Sequence, residues 1–164
     1  MSDYITVCEQ AARKGGEVLR SWQGQINPRE KAPKDLVSEA DLASQKTIYD
    51  FIHRQFPDHD FLGEEEQAES NNDRTSEFRW IVDPLDGTVN YVHQLPMYSV
   101  SVALECNSEL LAGVVYDPIA NECFAAERGK GATLNGEPIN VSSCESLESA
   151  MVVASFSQHH FLCL

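Results

Sequence analysis

The chain has 164 residues and a formal net charge of −14 at pH 7. This length suits one domain with a buried core. The excess of acidic residues argues against nucleic acid and anionic membranes as partners, because both are bound through clustered Lys and Arg. The five cysteines contain no CxxC pair, so reduced cytosolic thiols are expected rather than a zinc site or a disulfide framework.

The sequence offers no targeting or membrane signal. Its first residues lack the basic start and the apolar stretch of a signal peptide. No apolar run approaches the ~20 residues needed to span a bilayer. A cytoplasmic location is therefore expected.

Two helices are predicted at the start of the chain. Apolar and small residues at helical spacing run from Tyr4 to Trp22. A second helix is predicted to start near Ser38, where Asp41 follows as in a shortened capping box, and to stop at Pro57.

Short apolar segments after the second helix predict a series of strands. The predicted strands are residues 61–62, 78–82, 99–106, 110–116, 122–127 and 138–141, and residues 151–154 are predicted to start another buried strand. Short links between the middle strands indicate antiparallel neighbours. Because the sequence stops soon after residue 154, we expect it to be part of a larger architecture, with residues 156–164 as an atypical tail.

Carboxylates gather at three places where an apolar segment meets a turn or a helix start. They are Asp35 with Asp41, the run 64–66, and Asp83 with Asp86. Taken singly, they read as a helix cap, a solvated acidic run and turn formers. Taken together, they favour a site built on a rigid scaffold.

Charge repulsion indicates what such a site would hold. Two carboxylates 4 Å apart repel by roughly 4 kcal/mol at an effective dielectric constant of about 20, so cations or protons must offset them. A site rich in carboxylates and poor in histidine suits magnesium better than zinc. The N–H groups of Gly87 and Thr88 would face an anion if a helix starts there, and a metal and an anion in one turn suggest phosphate chemistry.

These segments are similar to a known family. Residues 83–93, with the sequence DPLDGTVNYVH, resemble the central signature of the inositol monophosphatase family of lithium-sensitive, magnesium-dependent phosphatases. Residues 63–65 resemble its upstream acidic motif and residues 35–41 its helix-entry motif. Further similar segments follow in the family's order at 113–118, 129–132 and 135–136. The resemblance covers residues 1 to about 155.

The resemblance implies a site for two or three Mg²⁺ ions. Glu64, Asp83 and Asp86 would be side-chain ligands, and the Leu85 carbonyl would add another. Most of these residues would also contact the substrate; the implied substrate-binding residues are Glu64, Leu85, Asp86, Gly87 and Thr88.

The remaining implied roles concern the attacking water and the phosphate. Thr88, with Asp41 behind it, would orient the water, and Glu64 would help through a metal. The backbone N–H groups at positions 87 and 88 would hold phosphate oxygens. Lys31 is implied to approach the phosphate, while Asp35 and Glu65 would be supporting residues.

The implied fold class is α+β, the N-terminal half of an inositol monophosphatase-like sugar phosphatase fold. Two helices would pack on a large antiparallel sheet over residues 1–155. The family's C-terminal α/β half, whose Trp-Asp motif completes the metal cluster, is missing from this sequence, so one sheet face or edge is expected to be uncovered.

The implied function is magnesium-dependent hydrolysis of a small phosphate monoester by a metal-activated water. Myo-inositol 1-phosphate or a similar polyol phosphate is the expected substrate, and a homodimer is the implied assembly. Two alternatives remain open. One is a catalytically impaired remnant that binds cations weakly. The other is a related phosphatase for 3′-phosphoadenosine phosphate, fructose bisphosphate or histidinol phosphate.

Overall fold

The computed structural model describes residues 3–24, 33–64 and 75–153, and in the second helix it describes side chains from Glu39 onward. Two long helices precede a sheet, which confirms the predicted fold class. The elements are α1 (Tyr4–Trp22), α2 (Pro33–His53), β1 (Asp60–Gly63), β2 (Phe78–Asp86), α3 (Thr88–Val92), β3 (Ser99–Cys106), β4 (Glu109–Asp117), β5 (Glu122–Glu127), β6 (Gly131–Leu134) and β7 (Glu137–Ile139).

Helix α1 has the bounds that its periodicity predicts. Its buried stripe repeats at three- and four-residue spacing and comprises Val7, Cys8, Ala11, Ala12, Gly15, Gly16 and Leu19. Gly15 lets α2 approach closely, since a methyl group there would lie 2.7 Å from Cδ1 of Ile48. The small residues of α1 thus set the distance between the two long helices.

The predicted start of α2 near Ser38 is wrong, because the helix begins at Pro33. Proline suits the first turn of a helix, where its missing N–H would have no intrahelical acceptor and its fixed φ is already helical. Ser38 and Asp41 therefore lie inside the helix, and Asp41 is not a capping residue.

The seven strands follow their sequence order across a single sheet. β1 and β2 pair in parallel, and every later pair is antiparallel. β6 is an additional strand that the sequence does not predict, because two glycines, which are typical of turns, lie at its start. Both have positive φ in the structure, Gly129 at +76° and Gly131 at +84°. Asn135 and Gly136, both with positive φ, form the tight turn between β6 and β7.

Only one face of the sheet is covered in the part of the chain that the structure describes. Inward-facing residues of β3 and β4 such as Val100, Val102 and Val114 are buried beneath α1, and α2 packs against β2. Their neighbours point the other way, and Val115 and Phe124 are 44% and 41% exposed. An uncovered apolar face, as expected from the sequence, is therefore present on the described sheet.

The prediction of a buried strand at 151–154 is wrong for the residues described. Met151, Val152 and Val153 form no strand and are 92%, 73% and 86% exposed. The apolar character of all three residues and the β-branched side chains of the two valines favour a strand only where a neighbouring strand supplies hydrogen bonds. Residue 154 and the predicted tail at 156–164 lie outside the described residues.

Within the described ranges, none of the helices combines the length and the apolar character that a bilayer span requires.

Candidate metal and phosphate site

The parallel pairing of β1 with β2 brings two carboxylates together. Gly63 lies opposite Val82 in the register, so both strands reach the same edge of the sheet at this point. Glu64 and Asp83 are the next residues of their strands, and their side chains share a hydrogen bond. Two residues 19 positions apart in the sequence thus meet because of one strand register.

The electrostatics of Asp83 reflect this contact. The pKa of Asp83 is raised from 3.8 to about 6, first by burial and then by the hydrogen bond and the charge of Glu64. The Leu85 N–H opposes this rise by donating to Asp83 Oδ1 at 3.1 Å, while the charge of Asp86 raises the pKa further. Asp83 therefore keeps its proton to a higher pH than an ordinary aspartate, and a nearby cation would favour its ionised form.

Asp86 follows after an irregularity in β2. Asp83 pairs with Ser101 and Asp86 with Ser99, so three steps along β2 match two along β3. A bulge of this kind changes the direction in which the following side chains point. The Asp86 side chain is exposed and accepts a long hydrogen bond from Ser99 Oγ at 3.4 Å.

Gly87 turns the chain from β2 into α3. Its φ of +93° is the left-handed conformation that favours glycine. A methyl group at this position would also lie 2.9 Å from the Met97 carbonyl oxygen. Thr88 follows as the first residue of α3 and donates from Oγ1 to the Leu85 carbonyl at 3.1 Å.

Helix α2 supplies the buried side of the site. Asp41 is 3% exposed, and its charge, after burial and Tyr98, helps to raise the pKa of Tyr91. One turn further on, Ser44 Oγ donates to the Pro84 carbonyl at 3.2 Å. The sequence analysis did not select Ser44, since a serine inside a helix carries no distinctive signal.

The structure brings some of the predicted site residues together and leaves others apart. Glu64 and Asp83 are in contact, and the turn of Leu85, Asp86, Gly87 and Thr88 begins two residues after Asp83. Within residues 3–24, 33–64 and 75–153, no three His, Cys, Asp or Glu side chains form a group placed to hold a metal ion. Lys31, Glu65 and the Asp35 side chain lie outside what the structure describes.

The residues present fit a hard divalent cation. Glu64 and Asp83 offer oxygen donors only, and a nearby positive charge would favour the ionised form of Asp83, whose pKa is raised. Asp86 adds negative charge close by. The donor chemistry therefore matches Mg²⁺ better than a metal that prefers nitrogen or sulfur.

A shallow hollow of about 350 Å³ lies beside this turn. It is lined by Asp86, Gly87, Asn90, Met97, Tyr98, Ser99, Val115, Asp117 and Phe124. Another hollow, of about 300 Å³, lies on the uncovered sheet face and is lined by none of the candidate site residues. The hollow beside Asp86 has a more polar lining than the hollow on the sheet face.

The sequence and the fold have counterparts in known proteins. A profile of the inositol monophosphatase family matches residues 1–161. The chain belongs to the inositol monophosphatase family. It is 41% identical over 155 residues to an inositol monophosphatase from Mesembryanthemum crystallinum, covering 93% of this chain and 57% of that protein.

Other relatives extend this similarity. A fructose-1,6-bisphosphatase/inositol-1-monophosphatase from Aquifex aeolicus is 41% identical over 159 residues, covering 95% of this chain and 59% of that protein. The crystal structure of the extragenic suppressor protein suhB from Bartonella henselae matches with a TM-score of 0.78 at 39% identity, covering 90% of this chain and 57% of that one. The chain thus spans somewhat more than half the length of these relatives.

Proposed function

We propose that this chain contributes the metal- and phosphate-binding half of a magnesium-dependent phosphatase. The reaction is hydrolysis of a phosphate monoester, with myo-inositol 1-phosphate or a similar polyol phosphate as substrate. The observation that carries the proposal is the contact between Glu64 and Asp83 next to the Asp86–Thr88 turn. The cytoplasmic location, the lithium sensitivity and a homodimeric assembly belong to the same proposal.

The side chains and carbonyls of this edge have distinct tasks. Glu64, Asp83, Asp86 and the Leu85 carbonyl would hold the ions. When bound, Mg²⁺ would neutralise phosphate charge, lower the pKa of a water ligand and stabilise the leaving alkoxide. The N–H groups of Gly87 and Thr88 would bind phosphate oxygens, because the first N–H groups of a helix have no intrahelical acceptor.

Thr88 is suited to orient the attacking water. Its hydroxyl proton is already given to the Leu85 carbonyl, so its oxygen is left to accept a hydrogen bond from water. The family resemblance implies that Asp41 supports Thr88 in this role, and the Asp41 carboxylate is buried. Holding water in line with the phosphate supplies much of the rate enhancement in phosphoryl transfer.

A sugar bisphosphate is the second candidate substrate, because the Aquifex aeolicus relative carries both fructose-1,6-bisphosphatase and inositol-1-monophosphatase in its name. The catalytically impaired remnant that the sequence leaves open is tested by the same measurement of turnover.

Release of inorganic phosphate from myo-inositol 1-phosphate tests the proposal. We expect turnover that requires Mg²⁺, declines with Li⁺ and falls about 100-fold or more in Asp83→Asn. Asp58→Asn, an exposed acidic position away from the site, is the matched control and keeps the wild-type rate. No Mg²⁺-dependent turnover with the monophosphate or with fructose 1,6-bisphosphate, together with binding weaker than millimolar, would favour the remnant.

A further inference from the structure

Helix α2 carries an unusual concentration of buried polar side chains. Asp41, Ser44 and Gln45 are all buried, and Gln45 is only 2% exposed. Residues at this spacing lie on one face of a helix. Burying polar groups is costly unless they make specific interactions, so this face has a task beyond packing.

The Gln45 carboxamide packs against the last residue of β1. A methyl group on Gly63 would overlap the oxygen, the carbon and the nitrogen of that carboxamide. Gly63 immediately precedes Glu64. Gln45 therefore lies against the stretch of backbone that sets the direction of the Glu64 side chain.

The neighbouring residue of α2 contacts the other strand. Ser44 Oγ donates to the Pro84 carbonyl, and this hydrogen bond is buried. Pro84 directly follows Asp83. Two adjacent residues of one helix thus touch the backbone next to each member of the carboxylate pair.

We propose that Gln45 and Ser44 are positioning residues that fix Glu64 relative to Asp83. The metal-binding consequence rests on the proposed function, in which this pair holds Mg²⁺. Two carboxylates in contact repel when both are ionised, so a rigid support is needed to keep them together. A preformed pair binds a cation without a further cost of ordering the ligands.

The first test measures Mg²⁺ binding to the purified chain by calorimetry. Gln45→Ala is expected to raise the Kd about tenfold, because groups that orient metal ligands typically contribute at least this factor. Ile48→Val is the control, since Ile48 is buried on the same helix but faces Gly15 of α1. It should lower the melting temperature and leave the Kd unchanged.

A double variant separates positioning from general damage. Gly63→Ala alone should weaken Mg²⁺ binding, because the added methyl group displaces the carboxamide. Combining it with Gln45→Ala removes the overlap, so the double variant should bind more tightly than Gly63→Ala alone. Two independent destabilising effects would instead add.

Amide hydrogen exchange of the metal-free chain gives a readout that does not depend on metal binding. Gln45→Ala should speed exchange at Glu64, and Ser44→Ala at Leu85, whereas Ile48→Val should do neither. Unchanged exchange at both amides would overturn the positioning role. If the wild type binds no Mg²⁺ but the exchange results are as expected, the proposed function fails and the positioning role stands.

Discussion

At the scale of single residues, the surroundings of Asp83 that suit a cation also lower the stability of the fold when no cation is bound. The pKa of Asp83 is raised from 3.8 to about 6 in the folded chain, so the fold favours its protonated form. The free-energy cost of ionising Asp83 appears as the pH rises from its pKa in the unfolded chain through its folded pKa of about 6. This cost is fully present at neutral pH. The site therefore makes the metal-free fold less stable at the pH where it would bind a cation.

We predict that Asp83→Asn stabilises the metal-free chain at neutral pH. The gain should be on the order of 1–2 kcal/mol, because an amide removes the ionisation cost while keeping the side-chain size. Urea unfolding at pH 7.5 and at pH 4.5 measures it, and the gain should shrink at the lower pH. A variant less stable than the wild type at pH 7.5 contradicts the assignment of this pair.

Gly87 allows a second prediction at this scale. Gly87→Ala should cost more than the ~1–2 kcal/mol expected for a left-handed non-glycine residue, because its methyl group would also press on the Met97 carbonyl. Gly129→Ala is the matched control, since its φ of +76° is similar but no atom lies within 4 Å of the added methyl. Equal losses in denaturant unfolding would show that crowding at Gly87 is unimportant.

The sequence predicted the ligand candidates at the residue scale but not their supports. Asp83, Asp86 and Gly87 stand in a distinctive motif, whereas Ser44 and Gln45 look like ordinary helix residues. Their significance depends on which backbone segment lies opposite, and that follows only from the packing of α2 on β1 and β2.

At the scale of elements, Asp60 ties the start of β1 to the chain entering β2. Its carboxylate accepts hydrogen bonds from the Thr75 hydroxyl (2.6 Å), the Thr75 N–H (2.8 Å) and the Ser76 N–H (2.9 Å). Burial alone would raise its pKa, but these bonds and the charge of Arg79 outweigh burial and lower it. This carboxylate stabilises the fold when it is ionised.

We predict that Asp60→Asn destabilises the chain at neutral pH by about 1–3 kcal/mol, because bonds to a charged acceptor are weakened. A carboxyl with a lowered pKa stabilises the fold at pH values above its unfolded pKa, and this stability is lost as the pH falls through its folded pKa. The loss of stability on mutation should therefore diminish in acid. Ionisation of Asp60 stabilises the fold, whereas ionisation of Asp83 destabilises it. Thermal unfolding across pH checks this, with Asp58→Asn as the exposed control; a pH-independent loss would contradict it.

The elements themselves were predictable where periodicity or short turns fixed them. Helix α1 and the strands from β3 to β5 follow from local patterns. The start of α2 at Pro33 was missed because proline occurs both in loops and in first helical turns. The parallel β1–β2 register was also beyond local reasoning, although it is what joins Glu64 to Asp83.

At the scale of the whole molecule, the main feature is the sheet face that the described residues leave uncovered. Val115, Phe124 and Ile139 are exposed on or beside it, and apolar patches of this kind promote association.

We predict that the isolated chain binds hydrophobic dyes and self-associates as its concentration rises. Phe124→Lys should reduce both effects in sedimentation and fluorescence measurements. Lys46→Glu, an exposed change on α2, should not; if it acts as strongly as Phe124→Lys, association does not arise from this face.

The most direct test of the account is calorimetric titration of Mg²⁺ into the wild-type chain and Asp83→Asn at neutral pH. The account predicts saturable binding to the wild type that is lost in the variant, although the variant is at least as stable when metal-free. Identical isotherms for the two proteins would contradict the claim that Glu64 and Asp83 form a cation site.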